Sequence, residues 1–460
     1  MCSSDLNRNT TVEFGYIGRK YTHDIEELNL NAVPYMMTLG GQSFAKAFGQ
    51  MAWQYCAGAT FPQNAQNLGG GNCVGNIAAI TEQPFFKAAL NPTFCTTPVG
   101  AVMPANCAQA VALNEGGNIA NNAVWSLWSD LDNGAFTFPR SMMNTPIPGN
   151  PFGANGQMTS GIGMTASDGF GNYNAAFASV RMADWHGLTM QSNFTYGKAL
   201  GTGSIIQATS SWTVPDVYNL HNAYGLQPWD RKFLWNVFFV YQPPAYKGQH
   251  GALGRALGGW SIAPILTLGS GLPNAVIPID GNLQGQYQTG GGQAFGESDG
   301  LGGTFSAFEN AVNMCGPGVG GSSRHNNPTI PAGTDFGTSF FSQPAPNMFQ
   351  NPASVYNCFR NSILGIDSSD GGGAGILRGQ KFWNVDLGVR KDIMVTERVH
   401  LQFDANFTNV FNHPYLGDPY NVLGDTTDWG ALGGITGDLN TGFVQANTSR
   451  AIQLGLRVKF

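Results

Sequence analysis

The sequence predicts an all-β fold, an antiparallel transmembrane β-barrel with long extracellular loops. Three observations point there: recurrent two-residue alternation of apolar and polar side chains, a low content of charge, and connections that are alternately short and long. At the carboxy terminus Phe460, Val458, Leu456, Leu454 and Ile452 alternate with Lys459, Arg457, Gly455, Gln453 and Ala451. A strand of about ten residues with one greasy and one wet face suits a barrel wall, since roughly 9–11 tilted residues cross the hydrocarbon.

Composition agrees. The chain has 460 residues, of which 11% are charged and 12% aromatic, with 63 glycines and a mean hydropathy of -0.12. A soluble surface would carry about 25% charged residues. No run of about 18 apolar residues exists, which excludes a transmembrane helix. The net charge of -6 and the lack of basic clusters argue against nucleic acid as a partner.

In chain order, strands are expected near 11–22, 172–182, 188–198, 231–241, 258–269, 380–391, 398–409 and 450–460. In 172–182, Ala176, Ala178, Val180 and Met182 would face lipid, leaving Phe177 beside Ser179 and Arg181. In 188–198, Leu188, Met190, Phe194 and Tyr196 oppose Thr189, Gln191, Asn193 and Thr195. Phe233, Trp235, Val237, Phe239 and Tyr241 form a lipid row, although Leu234, Phe238 and Val240 spoil the other face. Pro264 cannot donate to a ladder, so a bulge or a break is expected there. Trp383, Val385, Leu387 and Val389 alternate with Asn384, Asp386, Gly388 and Arg390. Val399, Leu401, Phe403, Ala405 and Phe407 alternate with Arg398, His400, Gln402, Asp404 and Asn406. Asp386 and Asp404 read as carboxylates solvated by the lumen.

Segments 183–187, 242–257 and 392–397 are short connections, whereas 23–171, 199–230, 270–379 and 410–449 are long. With the last strand ending in the periplasm, every short connection falls on that side and every long one outside, the parity of outer-membrane barrels. The domain division is therefore a strand over 1–22, a long extracellular loop or small cap subdomain over 23–171, and barrel strands with their loops over 172–460. Within the long loop, SFAKAFGQMAWQY and NIANNAVWSLWSDLDNGAF read as short helices. A loop of that length is functional, internally folded or disordered. The expectation is a cap over the barrel mouth that helps to contact ligand.

Trp185, Trp229, Trp260 and Trp383 sit near strand ends, where membrane-interface aromatics belong. Cys56, Cys73, Cys95, Cys107, Cys315 and Cys358 all fall in the two longest outside loops, which suits an oxidising compartment. Six cysteines allow 15 pairings. Pairing of sequence neighbours, Cys56 with Cys73, Cys95 with Cys107 and Cys315 with Cys358, would staple segments too polar to build large cores, with Cys2 left over.

No catalytic, cofactor or metal site is recognisable. The histidines are scattered, HExxH and GxxxxGK[ST] are absent, and no cysteines stand at CxxC spacing. The runs Gly69 to Gly71, Gly290 to Gly292 and Gly371 to Gly373 read as loop. Asp418, Asp425, Asp428 and Asp438 lack the spacing of a calcium loop.

The blocks YNAAFASVRMADWHGLTMQSNFTYGKAL, WDRKFLWNVFFVYQPP, LGGWSIAPILTLGSGLPNAV and FWNVDLGVRKDIMVTERVHLQFDANFTNVFNHPYLGDP, in that order, together with VEFGYIGRKYTHDIEELNLN, resemble the carboxy-terminal barrel of TonB-dependent outer-membrane receptors. The form with a carboxypeptidase-regulatory-like amino-terminal domain, abundant in soil Acidobacteria, is the most similar. The resemblance covers about half the chain. It implies the last eight or so strands of a barrel of about 22, in a Gram-negative outer membrane. It also implies a plug and energy from TonB through an amino-terminal region, import of a scarce small ligand, and outer-membrane lipid and the barrel-assembly machinery as partners. That machinery would recognise the terminal strand through Phe460, with Val458 and Leu456 behind it. No plug or TonB box is recognisable, and MCSSDLNRNT lacks a basic n-region and an apolar h-region, so the natural start is expected upstream. The alternative is a self-contained eight-stranded surface barrel with adhesive loops; a secreted carbohydrate-active enzyme is disfavoured for want of paired carboxylates.

Overall fold

The computed structural model describes residues 2–29, 33–57, 73, 75–120, 124–132, 163–202, 217–274, 276, 311–316, 339–340, 343–344, 347–360, 364–366, 375–413, 419, 421, 423, 426, 429–432 and 449–460. Nine strands form one antiparallel path in sequence order: β1 (Cys2–Asn7), β2 (Thr10–Asn29), β3 (Gly163–Trp185), β4 (Leu188–Gly201), β5 (Phe233–Tyr241), β6 (Trp260–Gly269), β7 (Phe382–Met394), β8 (His400–Thr408) and β9 (Ala451–Lys459). A short piece, Gly225–Leu226, also pairs with the end of β4. Among the described residues β1 and β9 are the two edges, and the sheet is open.

All eight expected strands are present, with three corrections. Cys2–Asn7 is an additional strand, paired with β2 through the tight turn at Arg8 and Asn9; its polar sequence carries no alternation. Residues 23–29 and 163–171 were expected in the long loop but extend β2 and β3, pairing as far as Asn29 with Gly163. Beyond Gly171 this hairpin has lost its partner β4 and stands above the rest of the sheet as a stalk. Residues 398 and 399 lie in the turn before β8, where Val399 N–H donates to the Thr396 carbonyl. Pro264 keeps its place in the ladder with β7 and lies in a gap of the ladder with β5, so the missing N–H costs pairing on one side only.

Register makes the two faces continuous. Val12, Val180, Ser192, Val237, Leu266 and Val385 are successive cross-strand partners on one face. One residue along, Glu13, Ser179, Asn193, Asn236, Thr267 and Asn384 form an entirely polar row on the other. A slip of one residue anywhere would bring polar side chains to the apolar face, so the alternation specifies the pairing. Ser192, the polar member of the apolar row, accepts a hydrogen bond from Trp235 Nε1 at 2.9 Å and is thereby satisfied. The apolar face continues through Leu387, Phe407 and Ile452 to the last strand.

The short connections β1–β2, β3–β4, β5–β6 and β7–β8 share one rim with the chain end, and the long ones share the other. This parity follows from a meander: every strand pairs with its sequence neighbour.

Leu456 stands at the middle of β9 on the apolar face, paired with Phe403, while Gln453 is on the polar face beside Asn406. Leu456→Arg is expected to cost about 2–4 kcal/mol and to block assembly into membranes, whereas Gln453→Arg is tolerated. Assembly is read as protease-resistant protein in the outer-membrane fraction; equal losses would contradict the assignment of faces.

Candidate functional site

The stalk carries a small helical cap. Its helices are α1 (Phe44–Ala57), α2 (Pro84–Ala89), α3 (Pro92–Cys95), α4 (Cys107–Ala120) and α5 (Val124–Asp132). The two helices expected from sequence correspond to α1 and to the end of α4 with α5. Phe44, Phe48, Met51, Phe85, Phe86 and Trp128 have essentially no exposed surface. The Phe44 ring meets Trp128 edge-on at 4.9 Å and Phe85 at 5.4 Å. Such pairs add about 0.5–1.5 kcal/mol each beyond area burial. Asn91 begins α3 by accepting the Thr93 N–H at 2.9 Å, with Pro92 at the first helical position where a missing N–H is harmless. Buried Gln42 joins the layers: its Nε2 donates to Gln83 Oε1 at 2.8 Å, and its Oε1 accepts Phe85 N–H at 3.1 Å.

The structure joins the cysteines as sequence neighbours, Cys56 to Cys73, Cys95 to Cys107 and Cys315 to Cys358. The first two close loops within the cap. The third supports a second core, in which Trp429, Phe349, Tyr356 and Phe359 from two different long loops pack together. There Asn347 Nδ2 donates to the Trp429 carbonyl at 2.7 Å and Asn347 Oδ1 accepts Phe349 N–H at 2.8 Å. Leu364 of the 270–379 loop enters the core of the cap, and Tyr218 of the 199–230 loop stacks edge-on against Tyr35 at 5.5 Å. All four long connections therefore contribute to structure on one rim.

Between α3, the turn at 97–100 and α4 lies a cleft of about 610 Å³ lined by Asn91, Thr93, Phe94, Thr97, Pro98, Val99, Gly100 and Asn114. Its lining mixes Phe94, Pro98 and Val99 with the side chains of Asn91, Thr93, Thr97 and Asn114, and its volume falls within the usual range of small-molecule sites. Nothing in the sequence pattern singled out these residues.

Below the cap, the polar face of the sheet is cross-linked. Arg390 Nε donates to Asp404 Oδ1 at 2.7 Å, and Gln402 Nε2 donates to Asp404 Oδ2 at 2.7 Å. Asp404 is thus a paired and largely buried carboxylate, correcting the expectation of free solvation. Asp386 accepts Asn409 N–H at 2.8 Å and Asn384 Nδ2 at 2.9 Å. At the long-loop rim, buried Asp230 receives Arg378 and the Ala199 N–H, while Arg231 lies over the Phe382 ring at 4.5 Å. Among the described residues no group of three or more histidine, cysteine or acidic side chains could hold a metal. Gly69 to Gly71, Gly290 to Gly292, Gly371 to Gly373 and Asp418, Asp425, Asp428 and Asp438 lie outside the described residues.

The four tryptophans divide between the rims. Trp185 and Trp260 mark the short-turn rim and are exposed; Trp229 is exposed at the other. Trp383 is half-buried there, its ring 4.1 Å from that of His413. Phe460 is 97% exposed beyond β9, and Val458 and Leu456 continue the apolar face behind it.

A family model described as an outer membrane beta barrel domain matches residues 2–453. No curated protein matches the chain. Among solved structures, the chain is similar to the siderophore receptor PiuA from Acinetobacter baumannii at 9% identity and a TM-score of 0.27, over 64% of this chain and 23% of that one.

Within the cap, Glu115 lies at a kink of α4 with non-helical dihedrals. Asn118 Nδ2 bridges it to Asp130, at 2.9 Å and 2.8 Å. Burial, with Asp130 adding to the effect, pushes the Glu115 carboxyl up from 4.5 to about 7. Between those values the folded cap holds a proton that the unfolded chain has released, so cap stability falls as pH rises across that window. Exchange protection of α4 amides, corrected for intrinsic rates, is expected to be greater at about pH 5 than at about pH 8, and Glu115→Gln is expected to abolish the difference. A wild-type cap with no pH dependence would refute this.

Proposed function

Because the chain belongs to the family of outer-membrane β-barrel domains, we propose that it is the barrel portion of a TonB-dependent uptake receptor, which captures a scarce ligand outside the cell and imports it. The observation that carries this reading is the cap: three of the four long connections build two buried cores on one rim, the fourth packs on the first core through Tyr218, and the first core's connection holds a cleft, above a wall whose other face is polar. A barrel that served only as a membrane anchor would have no use for so much ordered structure at its mouth. Among the described residues the sheet is open, and edges left unpaired in lipid would cost several kcal/mol per polar group, which supports a larger barrel. The ordered blocks that resemble the receptors with a regulatory-like amino-terminal domain support the TonB coupling. Binding and transport, rather than catalysis, is the role assigned.

Ligand would meet the cap first and then the polar wall. The Arg390–Asp404 pair and the Asp386 network hold that wall rigid, so that its hydrogen-bonding groups present a fixed pattern.

The test offers cells with and without the gene a panel of labelled ferric chelates, cobalamin, oligosaccharides and peptides. Deletion is expected to abolish accumulation of one class, and a protonophore to abolish it in the parent. Surface binding without energy-dependent accumulation of any of them would overturn the uptake reading and leave an adhesive role.

A further inference from the structure

The segment that connects β5 to β6 on the short-turn rim contains a helix, α6 (Gly251–Leu257). It is tied to the sheet through Lys391. By register Lys391 lies opposite Trp260 and Phe403, on the apolar face that meets lipid. A bare ammonium there would be desolvated, yet Lys391 is only 6% exposed. Its Nζ donates to the carbonyls of Arg255 at 2.6 Å, Ala256 at 3.0 Å and Gly258, and lies 4.9 Å from the centre of the Trp260 ring. These carbonyls are the orphan acceptors at the end of α6, where a cation is favourable. Gln249 completes the clasp: its Nε2 donates to the Asp392 carbonyl at 2.8 Å, and its Oε1 accepts Met394 N–H at 2.9 Å. At Gly259 the backbone approaches so closely that a Cβ would collide with the Asp392 carbonyl oxygen. The carboxy-terminal end of α6 is thereby held on the lipid side of the wall, at its rim.

The rest of the helix is a surface without a partner among the described residues. Leu253 and Leu257, one turn apart, are 70% and 49% exposed, and Tyr246 and Trp260 flank them, also exposed. Arg255 projects from the opposite side of the helix, and Lys247 is exposed nearby. We propose that α6 is an interfacial anchor that docks on phospholipid of the periplasmic leaflet. Leu253 and Leu257 enter the acyl boundary, Tyr246 and Trp260 sit at headgroup level, and Lys247 and Arg255 face the phosphates. Phospholipid is the occupant because this surface is continuous, through Trp260, with the strand face that already meets the hydrocarbon. An amphipathic helix lying in the interface plane is what such a composition favours. The inference rests on the membrane placement of the barrel and is independent of what the receptor imports.

The experiment places the photo-cross-linker p-benzoylphenylalanine at one position of the full chain in its native membrane: Leu253, Leu257 or Arg255. Phospholipid adducts on the α6 peptide, detected by mass, are expected at Leu253 and Leu257 and to fall about tenfold at Arg255. Equal yields at the three positions, no lipid adduct, or adducts with a periplasmic protein would each overturn the proposal. In assembled Lys391→Met protein, exchange of the α6 amides is expected to rise about tenfold with the strand amides unchanged. Unchanged α6 exchange would remove Lys391 from the account, and failure of that variant to assemble leaves the decision with the cross-links.

Discussion

The antiparallel ladder is the constraint on which everything else depends. In hydrocarbon no water can satisfy a backbone N–H or C=O, so each strand must be paired on both sides throughout its membrane span. Among the described residues the meander does this for β2 to β8, each paired with its neighbours in sequence, and leaves β1 and β9 as edges. A meander of strands that each cross the membrane puts all turns of one parity on one rim. It also makes both faces continuous, so that a residue's side of the wall is decided by whether its position in the strand is odd or even.

What stands above the long-loop rim obeys different physics. The loops lie in water and must find their own burial, which they do in two small aromatic cores, one around Phe44 and Trp128 and one around Trp429. Neither would hold well as an isolated loop. Disulfides at 56–73, 95–107 and 315–358 restrict the unfolded loops, and the rim clamp of Asp230 with Arg378 joins the second long connection to the end of the third. The β2–β3 stalk transmits this order, because the last pairs, up to Asn29 with Gly163, lie beyond the point where β4 leaves the sheet.

The short-turn rim solves a local conflict. Lys391 occupies a position of the apolar row, where the alternation demands a hydrophobic side chain, and its charge is accommodated by folding a helix terminus over it. A lysine can snorkel to the interface by its own flexibility. Here the interface is brought to the lysine instead, and the connection between β5 and β6 gains a defined orientation.

By itself the sequence determined the wall. Eight of the nine path strands, their faces, the parity of the connections and the neighbour relation of the cysteines were legible, because a period of two is a local property and one apolar face against lipid enforces it. The polar β1 was not legible, since Cys2–Asn7 shows no alternation and becomes a strand only by pairing with β2. Nor were the stalk, the contribution of Leu364 to the cap, the pairing of Asp404 with Arg390, the kink at Glu115, the cleft beside Phe94 or the clasp of Lys391 on α6. Each of these joins residues through packing or hydrogen bonds whose partners lie on other elements or are set by how a helix bends. Side-chain periodicity carries no record of such contacts, and only the tertiary structure decides them.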